Sequence, residues 1–303
     1  MRCGCDNGPH RINILLLSYT FNMFATVNTV CEPDNFWGKL KYNLLPPPVK
    51  AEKVDTEEGS GFMKLTVPII RGKIHWSNVR TAAGDAAAKM LLPGNIHVHN
   101  EVNLNTFESE RFLSLVCINS FLKLLSLMPR KELLEECAVI DFSASFHEKI
   151  KNLPRFARTI KIITACPEKY QGFTRFCMEE YGTAVRISAH ISGAFDTPVI
   201  LHPKRAVIPT AFSRTGIVFA GYAQNLYTSN LILPEGVGLP ERYLKLLPPG
   251  IAPPAFAAAL YELSGVASLA GSVSPAFRNG NHILSYKDVL KLVHSGSLKT
   301  CTN

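Results

Sequence analysis

The side chains best suited to chemistry in this chain stand singly or in pairs at the ends of apolar runs. Cys166 comes directly before Pro167 in "IITACPEKY", and a thiol at a helix start is biased towards thiolate by the positive end of the helix dipole. With His190 or His202 beside it, Cys166 would be the nucleophile of a Cys-His pair, as in a Cys-dependent transferase; the other reading is a small space-filling residue. Ser143 and Ser145, in "VIDFSASFHEKI" (139–150), together with Thr164 and Ser188, offer hydroxyls to an anion. The same two serines serve equally well as caps of a helix that follows them. "GNIHVHNE" (94–101) sets His97 and His99 on one face of a strand, the spacing that opens metal-dependent amidohydrolase sites. The later ligands such a site needs do not follow, so the pair reads as an exposed strand face and no metal is expected.

Elements that could bring these residues together are written in the alternation from 138 to 203. "AVIDFS" reads as a strand, "ASFHEKIKNL" as a helix and "TIKIITA" as a strand. "PEKYQGFTRFCMEEY" reads as a helix with Pro167 in its first turn and Gly182 as its stop. "AVRISA", the short turn "ISGAFDT" and "PVILHP" complete the unit. Strands joined through helices by short connections run parallel. The fold class is therefore α/β, a doubly wound, mostly parallel Rossmann-like sheet over about 129–215. The carboxyl ends of such strands share one edge, where ligands bind, and that edge gathers Ser143, Ser145, Thr164, Cys166, Ser188, His190 and His202.

On either side lie an N-terminal α/β region (1–128), with a proline-rich linker at 44–61, and a C-terminal, mainly helical region (216–303). In the first, "FMKLTVPIIRGKIHW" reads as one or two strands. Asn105 with Glu108 forms a capping box before a long apolar helix that Pro129 ends, and "RKELLEEC" reads as a short helix. In the last, "TGIVFAGY" reads as a strand, "PPAFAAALYELSGVASLAG" as a helix, and "SYKDVLKLV" as a helix capped by Ser285 with Asp288.

Residues 137–203 resemble the cofactor domain of the shikimate dehydrogenase and glutamyl-tRNA reductase type. "IKIITACPEKY" falls on that domain's second strand and the residues after it, and "VILHP" on a later strand. The resemblance implies a Rossmann-like unit and, by extension, NAD or NADP. The departures count against the cofactor. No glycine occurs between Gly94 and Gly172, so the turn "FSASFHE" carries a Cβ wherever a diphosphate needs close backbone approach. No acidic residue ends the second strand to hold a ribose hydroxyl, and the family's phosphate-clamping arginine falls on Ala165. The pairs Gly59/Gly61 and Gly236/Gly238 do not lie between a strand and a helix in the required order.

Composition limits the remaining classes. The chain has 303 residues, 47% hydrophobic and 18% charged, which excludes wholesale disorder. Its net charge of +8 lies entirely in residues 151–303, with 16 Lys and Arg against 8 Asp and Glu. That half suits an anionic partner or a solvated basic face. Without interleaved aromatic residues it does not indicate nucleic acid. The run Lys149, Lys151, Arg155, Arg158 and Lys161 is broken by Pro154 and reads as solvated surface. Eight cysteines without a C-x-x-C pair, four of them inside apolar patterns, point to reduced thiols and a cytoplasmic protein. Residues 12–31 are uncharged, but "INILLLSY" within them reads as a core strand and no membrane association is expected. The expected function is a divergent binding or regulatory protein for a small anionic ligand at the strand ends, without a cofactor. The alternatives are an NAD(P)-dependent oxidoreductase with an atypical phosphate turn, and the Cys-dependent transferase.

Overall fold

The computed structural model describes residues 23–96, 106–109, 111–129, 132–206, 216–223 and 230–299. Two sheets organise them. The smaller has β1 (Ala25–Val30), β2 (Lys50–Val54), β3 (Phe62–Pro68) and β4 (Met90–Leu91) in the order β2-β3-β1-β4. β1 runs parallel to β3 and β4, and β2 pairs antiparallel with β3. α1 (Phe36–Leu44) follows β1, and Tyr42 of α1 donates to the Val30 carbonyl at 3.1 Å. One face of this sheet packs on α2 (Trp76–Ala83) through Val27, Leu65, Val67 and Val79.

The larger sheet is built from β5 (Leu134–Ile140), β6 (Ala157–Ile163), β7 (Ala184–Ser188), β8 (Val199–Ala206), β9 (Ile217–Ala223), β10 (Leu231–Glu235), β11 (Ala276–Asn279) and β12 (His282–Leu284). Their order is β12-β11-β10-β9-β8-β5-β6-β7. From β7 through β10 every pairing is parallel. The order reverses between β5 and β8, the switch point where doubly wound sheets open a crevice at their carboxyl edge. β11 and β12 extend the sheet as an antiparallel hairpin. The protein is α/β with a Rossmann-like, mostly parallel sheet. Cys137–Ile140, Ile160, Ile162, Ile163 and Val199–Leu201 are all buried, because this sheet is covered on both faces.

α3 (Arg111–Ser126) joins the two sheets. It is apolar around most of its circumference, as a helix enclosed on several sides must be. Phe112 and Val116, in its first turns, share a core with Phe24 and Phe62 of the smaller sheet and with α6 (Pro253–Glu262). Ile118, Phe121, Leu124 and Leu125 lie in the core of the larger sheet beside Val139, Leu201 and Phe219. α4 (Gln171–Tyr181) ends at Gly182, whose φ of +64° places it in the left-handed region, as its role of helix stop requires. α5 (Glu241–Leu244) and α7 (Tyr286–Lys299) complete the chain. Ser285 and Asp288 hydrogen-bond reciprocally at the start of α7, as the sequence predicts.

Several expectations are corrected. "RKELLEEC", read as a helix, supplies the first half of β5. "ASFHEKIKNL", read as a helix, is a series of turns that ends in a 3-10 turn at Leu153–Arg155. The described part of residues 216–303 has the expected helices α6 and α7 as well as α5, and it also adds β9 to β12 to the large sheet, of which only β9 was read from the sequence. The "INILLLSY" strand, the Asn105 cap and the His97/His99 pair lie outside the described residues. Among the described residues no helix is long and apolar enough to cross a membrane.

Candidate functional site

The turn after β5 takes a form that the sequence does not announce. Asp141 is only 1% exposed, and its carboxylate is satisfied from within the chain. Oδ1 accepts the Ser145 N–H at 3.0 Å, and Oδ2 accepts the Phe146 N–H at 2.7 Å and the Tyr170 hydroxyl at 2.8 Å. A buried carboxylate is tolerable only with such partners. Burial, and then the Asp141 charge, push the Tyr170 phenol far above its usual range. The backbone bends at Ala144, whose φ of +51° lies where glycine is favoured. A Cβ therefore does not prevent the tight turn, contrary to the expectation from sequence. The Asp141 carboxylate engages the Ser145 and Phe146 N–H groups of this turn. The chain beyond it runs through further turns to Leu153–Arg155 and not into an α-helix.

With no helix behind them, Ser143 and Ser145 are not caps. Their hydroxyls lie 2.7 Å apart, and Lys204, from the end of β8, donates to Ser143 Oγ at 2.5 Å and to Ser145 Oγ at 3.5 Å. The Lys204 ammonium also lies 5.7 Å from the centre of the Phe146 ring. Ser145, Phe146 and Lys204 line a cavity of about 430 Å³ that is completed by Arg111, Ser114, Leu115, Lys149 and Tyr261. Three cations thus converge on one space from α3, from the turns after β5 and from β8. Among the described residues none of the three is in an ion pair with an acid, whereas the neighbouring Lys151 pairs with Glu148, Arg158 with Glu135 and Lys161 with Glu136. The start of α3 is not itself an anion site, since Glu262 Oε1 already accepts the Phe112 N–H at 2.7 Å and the Ser109 hydroxyl at 2.6 Å.

A second cavity of about 340 Å³ lies against the same stretch of α3 and shares Ser114 with the first. Its wall includes Phe107, Leu113, Pro203, Gly221, Ala252 and Ala255. Only glycine fits at 221, because a Cβ there would lie 1.9 Å from the Pro203 carbonyl oxygen. β8 and β9 are therefore held close where the strands open into this space.

The remaining candidates are placed apart from these cavities. Thr164 is fully buried, and its hydroxyl accepts the Cys166 N–H at 3.1 Å and reaches the Phe142 carbonyl at 3.5 Å. Ser188 closes a local ring with the backbone of His190. Cys166 is half-buried and precedes a 3-10 turn (Pro167–Tyr170), not the first turn of α4. No hydrogen bond among the described residues joins Cys166 to His190 or His202. His202 sits within β8, two strands away from the end of β6 that precedes Cys166, about 10 Å across the sheet. His202 itself is 7% exposed, its Nδ1 has no partner among the described residues, and burial lowers its pKa to about 4. It is held neutral.

Sequence reasoning missed Asp141, Arg111 and Lys204. An acid closing an apolar strand ("AVID") and a lysine directly beyond a strand end ("VILHPK") were the available signals. Arg111 gave none, since only the packing of α3 brings it to the cleft.

No protein-family model and no curated protein matches the chain. Among solved structures it is similar to the L-tryptophan dehydrogenase of Nostoc punctiforme. That likeness has 10% identity and a TM-score of 0.29, covering 93% of this chain and 90% of that one. The strand order, not this distant likeness, is what makes the large sheet Rossmann-like.

Proposed function

We propose that the cleft between α3 and the carboxyl edge of β5 and β8 binds a small anion bearing a carboxylate or phosphate, and that the protein acts by binding or regulation without a dinucleotide. The observation that carries this reading is that Arg111, Lys149 and Lys204, none of them in a salt bridge with an acid among the described residues, line one cavity with Ser145. Cations held together without counter-charges repel one another, and an anion relieves that repulsion. The Asp141 carboxylate supports the second half, because it already engages the Ser145 and Phe146 N–H groups of the turn where a diphosphate would approach.

The oxidoreductase alternative rests on the strand order alone, and one experiment separates the two. Thermal unfolding is followed with inorganic phosphate, citrate, NAD and NADP, each in millimolar excess. A ligand at a hundredfold excess over its Kd stabilises the fold by about 2.7 kcal/mol. Phosphate or citrate should raise the midpoint while NAD and NADP leave it unchanged. Lys204→Ala should weaken the anion at least tenfold, the size of one lost charge-assisted hydrogen bond of about 1.5–3 kcal/mol. Stabilisation by NAD or NADP alone would overturn the proposal in favour of the oxidoreductase.

A further inference from the structure

The cation-lined space has a neighbour of different character, and the two share a wall. Successive residues divide between them: Leu113 and Pro203 face the second cavity, Leu115 and Lys204 the first, and Ser114 both. Beyond Ser114 the second cavity is walled mainly by side chains that offer nothing to hydrogen-bond, from Phe107 and Leu113 to Ala252, Pro254 and Ala255. Each cavity falls within the range of about 300–1,000 Å³ used by small-molecule sites, so together they exceed what a lone phosphate or acetate would fill. Ser109 and Glu108 also line this cavity, and the Ser109 hydroxyl is already engaged by Glu262 at 2.6 Å.

We infer that the natural ligand is an amphipathic monoanion: a carboxylate or phosphate head held by Arg111, Lys149 and Lys204, with an uncharged, mainly apolar body of several carbons lying along α3 in the second cavity. The inference rests on the anion-binding reading above and adds the body. It follows from two surfaces of opposite character meeting at Ser114, which a compact polyanion such as citrate would match at one end only. It also sets a direction: head towards the turn after β5, tail towards Ala255 at the start of α6.

The test is isothermal titration of the whole chain with straight-chain carboxylates from acetate to octanoate, with hexanamide and with adipate. Each methylene buried should tighten Kd by about three- to fourfold until the cavity is full. Hexanamide, which lacks the charge, should bind at least tenfold more weakly than hexanoate. Adipate, with the same six carbons and a second carboxylate, should also bind more weakly than hexanoate. Ala255→Phe, which fills the tail space, should abolish the gain with chain length; its circular dichroism and thermal midpoint show whether it has folded. Should that variant not fold, the wild-type series decides alone. Acetate and octanoate binding equally would overturn the apolar body while leaving the head site standing. If neither carboxylates nor inorganic phosphate bind, the head site itself falls, and this inference with it.

Discussion

Asp141 gives the turn after the first parallel strand a filled centre instead of an open anion cradle. Its carboxylate meets two backbone N–H groups and a phenol, all in buried surroundings. Asp141→Ala would leave those donors without partners, at a cost of about 1–3 kcal/mol for each group stranded. Denaturant unfolding should show a loss of at least about 3 kcal/mol, and Asp141→Asn, which keeps one acceptor oxygen, should lose less. His202 supplies a second test at this scale. Burial lowers its pKa from 6.5 to about 4, so between those values the unfolded chain takes up a proton that the folded chain refuses. Stability is therefore complete above the ordinary imidazole range, falls as pH drops through it, and levels off near the folded pKa. From pH 7.5 to 5 this amounts to about 2 kcal/mol. His202→Leu should flatten that slope when unfolding midpoints are compared at the two pH values. The sequence offered Ser143, Ser145 and His202 because their residue types are conspicuous at strand ends. It hid Asp141, because a carboxylate in a buried turn looks like an ordinary loop residue until its donors are known.

Elements were legible where their signals were local. Pro167, Gly182 and the Ser285/Asp288 pair each mark a boundary through chemistry within a few residues, and the structure has turns or helix ends at all of them. The mistaken helix at "RKELLEEC" arose because Leu133, Leu134 and Cys137 match helical spacing. What settles it as strand is β6, whose Arg158 and Lys161 reach Glu135 at 3.5 Å and Glu136 at 2.8 Å. Those partners lie more than twenty residues along the chain. The hairpin of β11 and β12 has a local signal in "FRNGNHIL", where Gly280 has a φ of +56° in a two-residue loop, but the sequence reading did not use it. The cap of α3 has no local signal, since Glu262 comes from the last residue of α6. Glu262→Ala should cost about 1–2 kcal/mol and lower the thermal midpoint by about 1.5–3 °C. Glu262→Gln, which retains an acceptor, should recover most of the loss.

For the whole molecule, the alternation of strands and connections gave the class of the large sheet but not its full width. β9 was read as a strand, whereas β10 to β12 are short or carry breakers such as Pro234 and are placed by their neighbours in the sheet. The candidate site was half legible for the same reason. The strand-end edge was foreseeable, whereas the cleft opposite it exists only because α3 and α6 fold across it. The first turns of α3 are rooted in one interior and the rest of it in the other. The two lobes thus have no free hinge at their junction, since opening one would pull apart the packing of its neighbour. The proposed guest would then enter a slot whose two walls share one helix, rather than a jaw that closes on it.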